Sequence, residues 1–101
     1  KSIHGYKDEI YFGSQRDGIF ILANKSLDKI NENNGLTSNQ VLSILRDDKA
    51  LFVGTDGAGL DVIELNKSIH NLSQKDGLPS DVIYQILKHQ RVYHCMETNC
   101  V

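Results

Sequence analysis

The chain of 101 residues has no tryptophan, one proline, one methionine and two cysteines. Cys95 and Cys100 lie five positions apart near the end. Two cysteines do not make a disulfide framework, and they do not fix the compartment. No run of lysine and arginine exists, which argues against a nucleic-acid or membrane-surface partner. Nor does any apolar stretch approach the roughly 20 residues that span a bilayer as a helix. What is present is ordinary for a folded domain: 40% hydrophobic residues, 24% charged residues and a net charge of −2. The opening Ser2-Ile3-His4-Gly5-Tyr6 reads as a strand and carries no signal-peptide pattern or initiator methionine. The expectation is a mature or excised piece of a longer protein.

The chain repeats itself. "GSQRDGI" (13–19) and "GTDGAGL" (54–60) both sit between apolar runs, 41 positions apart. At that offset Gly13 falls on Gly54, Gly18 on Gly59, Ser14 on Thr55 and Ile19 on Leu60, while Ile10, Tyr11 and Phe12 fall on Leu51, Phe52 and Val53. One inserted residue later the offset is 42, and "NKSL" (24–27) falls on "NKSI" (66–69) and "NGLTSN" (34–39) on "DGLPSD" (76–81). Val41, Ile44 and Leu45 then fall on Ile83, Ile86 and Leu87. The spacing predicts a partial first unit at 3–33, a full second at 34–75 and a half third at 76–97, with 91–101 as a divergent tail.

Each unit reads as four short strands, in the central unit 41–46, 50–55, 59–65 and 68–73, bounded by Gly, Asn, Asp or Ser. Gly54 and Gly59 are expected to reverse the chain through positive φ, and Pro79 to stiffen the connector. "SNQVLSILRDD" (38–48) also fits a helical turn, with Val41 and Ile44 three apart; the β-branched "DVIYQIL" at the equivalent place favours a strand. Four strands in about 42 residues match a β-propeller blade. The near-continuous apolar runs fit sheets buried on both faces. The predicted fold is therefore all-β: blades of four antiparallel strands, about two and a half of them, an incomplete propeller. Open blade faces and sheet edges invite association, so the isolated chain is expected to be a homo-oligomer.

"NGLTSNQVLSILRDDKALFVGTDGAGLDVI" (34–63) resembles the two-component regulator propeller repeat. The family pattern of Gly-Leu-Pro, a polar pair, Val, Ile, Asp, then Ile-Gly-Thr and Gly-Gly-Leu is matched at Gly35, Leu36, Asn39, Val41, Ile44, Asp47, Gly54, Thr55, Gly57, Gly59 and Leu60. Gly77, Leu78, Pro79 and Ser80 restart it, and the first unit keeps Gly13, Gly18 and Ile19. The family's tryptophan is Tyr11 or Phe52 here, both able to pack between blades. In the third unit Met96 and Glu97 stand where glycine and threonine belong. The resemblance covers about residues 3 to 90. It implies the periplasmic sensor propeller of a bacterial hybrid two-component histidine kinase, responding to glycan breakdown products. It also implies that the membrane is reached only through other parts of the full-length protein. The motif residues are structural, so no ligand contact carries over, and ligand-binding residues stay open.

Other candidates weigh less. His4, His70, His89 and His94 lie in different units, and His89, His94, Cys95 and Cys100 match no standard zinc spacing. Asp17-Gly18 and Asp56-Gly57-Ala58-Gly59 lack the ligand pattern of calcium loops and the lysine of phosphate loops, and read as blade turns. The pairs Asp8-Glu9 and Asp47-Asp48 read as polar turn caps rather than acid–base machinery. Arg16, Asp56 and "NNGLTSN" (33–39) lie at blade edges, where propellers bind ligands. The reading is a binding module with no cofactor or metal, taking an oligosaccharide or small polar ligand. A self-associating structural fragment is the alternative, and a propeller lyase or hydrolase a weaker one.

Overall fold

The structure, a computed structural model, describes residues 2–64, 68–78, 80–83, 85–89, 92–96 and 98–99; residues 85, 87–89, 92–96 and 98–99 are described through their backbone alone. The first sheet is an antiparallel meander of β1 (Ser2–Tyr6), β2 (Glu9–Gly13), β3 (Ile19–Ala23) and β4 (Ser26–Ile30). The second repeats it with β5 (Val41–Arg46), β6 (Ala50–Thr55), β7 (Leu60–Glu64) and β8 (Ile69–Leu72). A third sheet has three strands, β9 (Gln85–His89), β10 (Val92–Met96) and β11 (Thr98–Asn99). The segment 41–46 is thus strand rather than helix. It carries a bulge between Val41 and Ser43. Asn66, Lys67, Pro79, Glu97 and Cys100 lie outside the described residues.

The sheets pack face on face. Tyr11 and Ile19 of the first sheet meet Val41, Ile44, Leu51 and Val53 of the second in one core cluster. Phe52 and Leu60, on the other side of the second sheet, meet Ile83 and Ile86 in another. All six residues of β6 are buried, as a strand covered on both sides must be.

Connectors hold successive sheets in register, with the same bonds in both copies. A 3-10 turn follows each fourth strand, Glu32–Asn34 and Gln74–Asp76. Each opens on a capping box: the Asn31 side chain accepts from Asn33 N–H (2.8 Å) and Asn34 Oδ1 from Asn31 N–H (3.0 Å). Ser73 and Asp76 do the same in the second connector. Each closes on a left-handed glycine, Gly35 at φ 110° and Gly77 at φ 105°. The chain then clips onto the preceding sheet. Gly18 N–H donates to Asn39 O (3.0 Å) and Val41 N–H to Ser14 O (2.8 Å). Likewise Gly59 N–H donates to Asp81 O (2.8 Å) and Ile83 N–H to Thr55 O (3.0 Å).

Gly59 turns the chain at φ 82°, as expected. Gly54 does not, because it lies inside β6 without positive φ. Its role is close approach: a Cβ there would stand 2.0 Å from Ser43 Oγ and 2.8 Å from Ile83 O. Gly13 makes the same room for Ser2 and Val41.

Candidate functional site

Arg16 and Asp56 come together. Arg16 lies in the β2–β3 turn, Asp56 at the start of the β6–β7 turn, and both line a cleft of about 210 Å³ with Gln15, Gln40 and Leu42. That is below the roughly 300–1,000 Å³ of small-molecule pockets. The connector beside it is occupied with folding. Asn34 caps the 3-10 turn, Ser38 Oγ accepts from Gln40 N–H (3.0 Å), and Asn39 Oδ1 accepts from Glu32 N–H (2.8 Å). Thr37 donates from its backbone and hydroxyl to Asp61 (3.0 Å each). Asp61 is fully buried in β7, and its carboxylate also accepts from Asn71 Nδ2 (2.9 Å). Sequence reasoning missed this triad; its one signal is an acid inside the apolar run of β7.

The turns behave as turns. Asp17 N–H donates to Ser14 Oγ (2.7 Å) and Ala58 N–H to Thr55 Oγ1 (3.0 Å). Asp47 Oδ1 caps β6 by accepting from Lys49 N–H (2.8 Å) and Ala50 N–H (2.9 Å). His4 Nε2 lies 3.3 Å from Arg46 O, and His70 Nε2 lies 3.0 Å from Glu64 Oε2. His89, His94 and Cys95 are placed by backbone only, on β9 and β10. Among the described residues no group of three or more His, Cys, Asp or Glu is placed to hold a metal.

The opposite end of the seam between the first two sheets holds a larger cleft, about 480 Å³, lined by Tyr6, Lys7, Glu9, Asn24, Arg46 and Asp48 among others. The β1–β2, β3–β4 and β5–β6 turns converge there. Glu9 is not a cap: its Oε1 accepts from Tyr11 OH (2.6 Å), and that hydroxyl accepts from Arg46 Nε (3.0 Å). The Arg46 guanidinium covers the Tyr6 ring at 4.8 Å and also donates to Asp47 O. Lys7 Nζ lies 5.3 Å from the same ring and 3.6 Å from Asp48. Burial, then the bond to Glu9, raises the Tyr11 phenol above its ordinary pKa, against the opposing pull of Arg46. The Tyr6 hydroxyl is buried without a hydrogen bond among the described residues.

Three non-glycine residues at this end hold positive φ: Lys7 at 54°, Asn24 at 50° and Lys25 at 65°. Asn24 and Lys25 are the central pair of a two-residue hairpin loop, where left-handed residues match the strand twist. The repeat itself marks the cleft. Tyr6, Lys7, Glu9 and Tyr11 correspond to Asp47, Asp48, Ala50 and Phe52, so this polar network has no copy in the second unit. The glycines and apolar core positions, in contrast, recur. A departure of the first unit from the second at Glu9 and Tyr6 is the signal that could have found the site.

No family model matches the chain, and no curated protein matches it. Among solved structures it is similar to the extracellular domain of BT3049 from B. thetaiotaomicron, a protein that bears the name of a hybrid two-component system. The TM-score is 0.79 at 21% identity, over 94% of this chain. The chain spans 14% of the length of that structure. Its fold is that of a segment of such a domain: consecutive antiparallel β-blades packed face on face.

Proposed function

We propose that the chain is a piece of the ligand-sensing propeller of a hybrid two-component sensor kinase, placed in the periplasm. Its task is to bind a small, hydroxyl-rich ligand, of the kind released from glycans, at the Tyr6–Arg46 cleft. The observation that carries the sensor reading is the likeness in fold to the BT3049 extracellular domain. The cleft supports the ligand class. Its volume lies in the range of small-molecule sites, and it offers an aromatic ring beside amide, carboxylate and guanidinium groups. The role is recognition rather than catalysis. Asp47 is engaged as a cap and Glu9 with Tyr11, so neither acidic pair forms a free carboxylate dyad.

Calorimetric titration with a panel of oligosaccharides tests this. Saturable binding that weakens at least tenfold in Lys7→Ala/Asn24→Gly is the expected result. Both positions are exposed, and glycine tolerates the backbone of Asn24. A folded chain that gives no saturable heat with any sugar sinks the ligand assignment. The sensor assignment is tested separately by the adjoining coding sequence, which should hold further repeats, a membrane helix and a kinase.

A further inference from the structure

Between the outer strands, β3–β4 of the first sheet and β7–β8 of the second, the seam opens into a groove of about 550 Å³. Ile21 and Ile30 line it from the first sheet, Ile63 and Ile69 from the second, together with the buried Tyr11. Register puts Tyr11 beside Ile21 on the covered face of the first sheet, and Ile63 beside Ile69 on the facing side of the second. Ile21, Ile30 and Ile69 are half-buried, so they keep apolar surface that neither sheet covers. Both walls belong to adjacent sheets. A further repeat would pack on other faces and leave the groove open. The groove adjoins the Tyr6–Arg46 cleft, since Glu9 and Ala23 line both. The hydrogen-bond chain from Arg46 through Tyr11 to Glu9 runs along the border, with Arg46 on the cleft side and Tyr11 on the groove side. The chemistry changes there. The cleft offers amide, carboxylate and guanidinium groups, whereas the groove offers four isoleucines with the exposed Asp28, Lys29 and Asn34 around them.

We propose that cleft and groove together take a glycoside whose sugar carries an apolar aryl or alkyl substituent. The inference rests on the ligand reading above and adds the substituent to it. The sugar occupies the cleft, and the substituent lies between the isoleucines of the two sheets. A sugar ring cannot fill the groove well, because its hydroxyls would lose water there and meet mostly hydrocarbon. An apolar group in the same place removes its own surface and that of Ile21, Ile30 and Ile69 from water. Full burial of a phenyl-sized group favours binding by about tenfold to a hundredfold. The groove is open as it stands, so such a ligand can span the border without parting the sheets.

Calorimetry and methyl NMR of the full chain test the proposal with matched methyl and phenyl glycosides of cellobiose, maltose and lactose, and with phenol alone. The phenyl member of a binding pair should bind about tenfold or more tighter than its methyl partner. It should shift the methyl signals of Ile21, Ile30 and Ile69, which the methyl glycoside leaves in place. Phenol alone should shift the same three, whichever sugar the cleft prefers. Asp28→Trp, at an exposed position that lines the groove and not the cleft, should plug the groove and cancel the phenyl gain. The NMR readout needs no variant, so a misfolded Asp28→Trp does not blunt the test. Phenol that leaves the three isoleucines unmoved overturns the proposal. A methyl glycoside that binds as tightly as its phenyl partner overturns this inference and leaves the ligand reading standing. If phenol moves the isoleucines in that case, the groove serves a separate apolar partner, such as a protein side chain. No saturable heat from any sugar is the failure of the ligand reading itself, and the joint site falls with it.

Discussion

At Gly54 the backbone leaves no room for a methyl group, with Ser43 Oγ and Ile83 O inside van der Waals distance of a Cβ. Gly54→Ala should cost about 1–3 kcal/mol, the range for overpacking. Gly59→Ala should cost more, because its Cβ would meet Leu72 O at 2.2 Å and its φ is 82°. Urea denaturation that ranks the two in reverse would contradict these assignments. Asp61→Ala should be as damaging. It removes the buried carboxylate that accepts from Thr37 and Asn71, and hydrogen bonds to a charged group contribute about 1.5–3 kcal/mol each. Tyr11 gives a pH signature. Its phenol is raised in the folded state, so the folded chain holds that proton at pH values where the unfolded chain has lost it. The stabilising contribution is complete below about pH 10, the ordinary tyrosine value, and is lost as pH rises through the folded value. Tyr11→Phe should abolish that alkaline slope, and Phe52 at the equivalent position shows that a phenyl ring fits. Residue-scale roles were the least legible in the sequence. Glycine spacing announced turns, yet Gly54 serves contact between sheets, and the one local sign of a buried Asp61 is its place inside an apolar run, which names none of its partners.

Strands were legible where two constraints coincided. β5 and β6 lie at 41–46 and 50–55 as expected, since apolar runs there are closed by turn residues on both sides. The 3-10 turns were not foreseen. Three polar residues carry no periodicity, and their geometry comes from capping atoms that sequence spacing alone does not single out. Because Asn31 and Ser73 perform one task in two connectors, Asn31→Ser should change stability by less than about 0.5 kcal/mol. Asn31→Ala should cost about 1 kcal/mol. Thermal unfolding of the two variants side by side decides whether the cap is a hydrogen-bonding device.

Across the whole molecule, the second sheet is covered on both sides and the first on one. Stacked repeats draw stability mainly from nearest-neighbour contacts. Native-state hydrogen exchange should therefore be slowest in β6, intermediate in β2 and fastest in β4, where only Ile30 is not exposed. Equal protection in β4 and β6 would mean that the sheets open as one cooperative block. The gross plan of stacked four-stranded units was readable because glycines and core positions recur in step. The polar cleft was not, because it is written where the units differ.

The bonds from Gly18 to Asn39 and from Val41 to Ser14 have a consequence for protein engineering. A linker that grips the hairpin behind it before launching the next strand belongs to neither module. Anyone grafting an extra blade into this scaffold should splice within a sheet and keep each linker with its upstream hairpin, since a cut at the apparent boundary severs the clasp that sets the stagger.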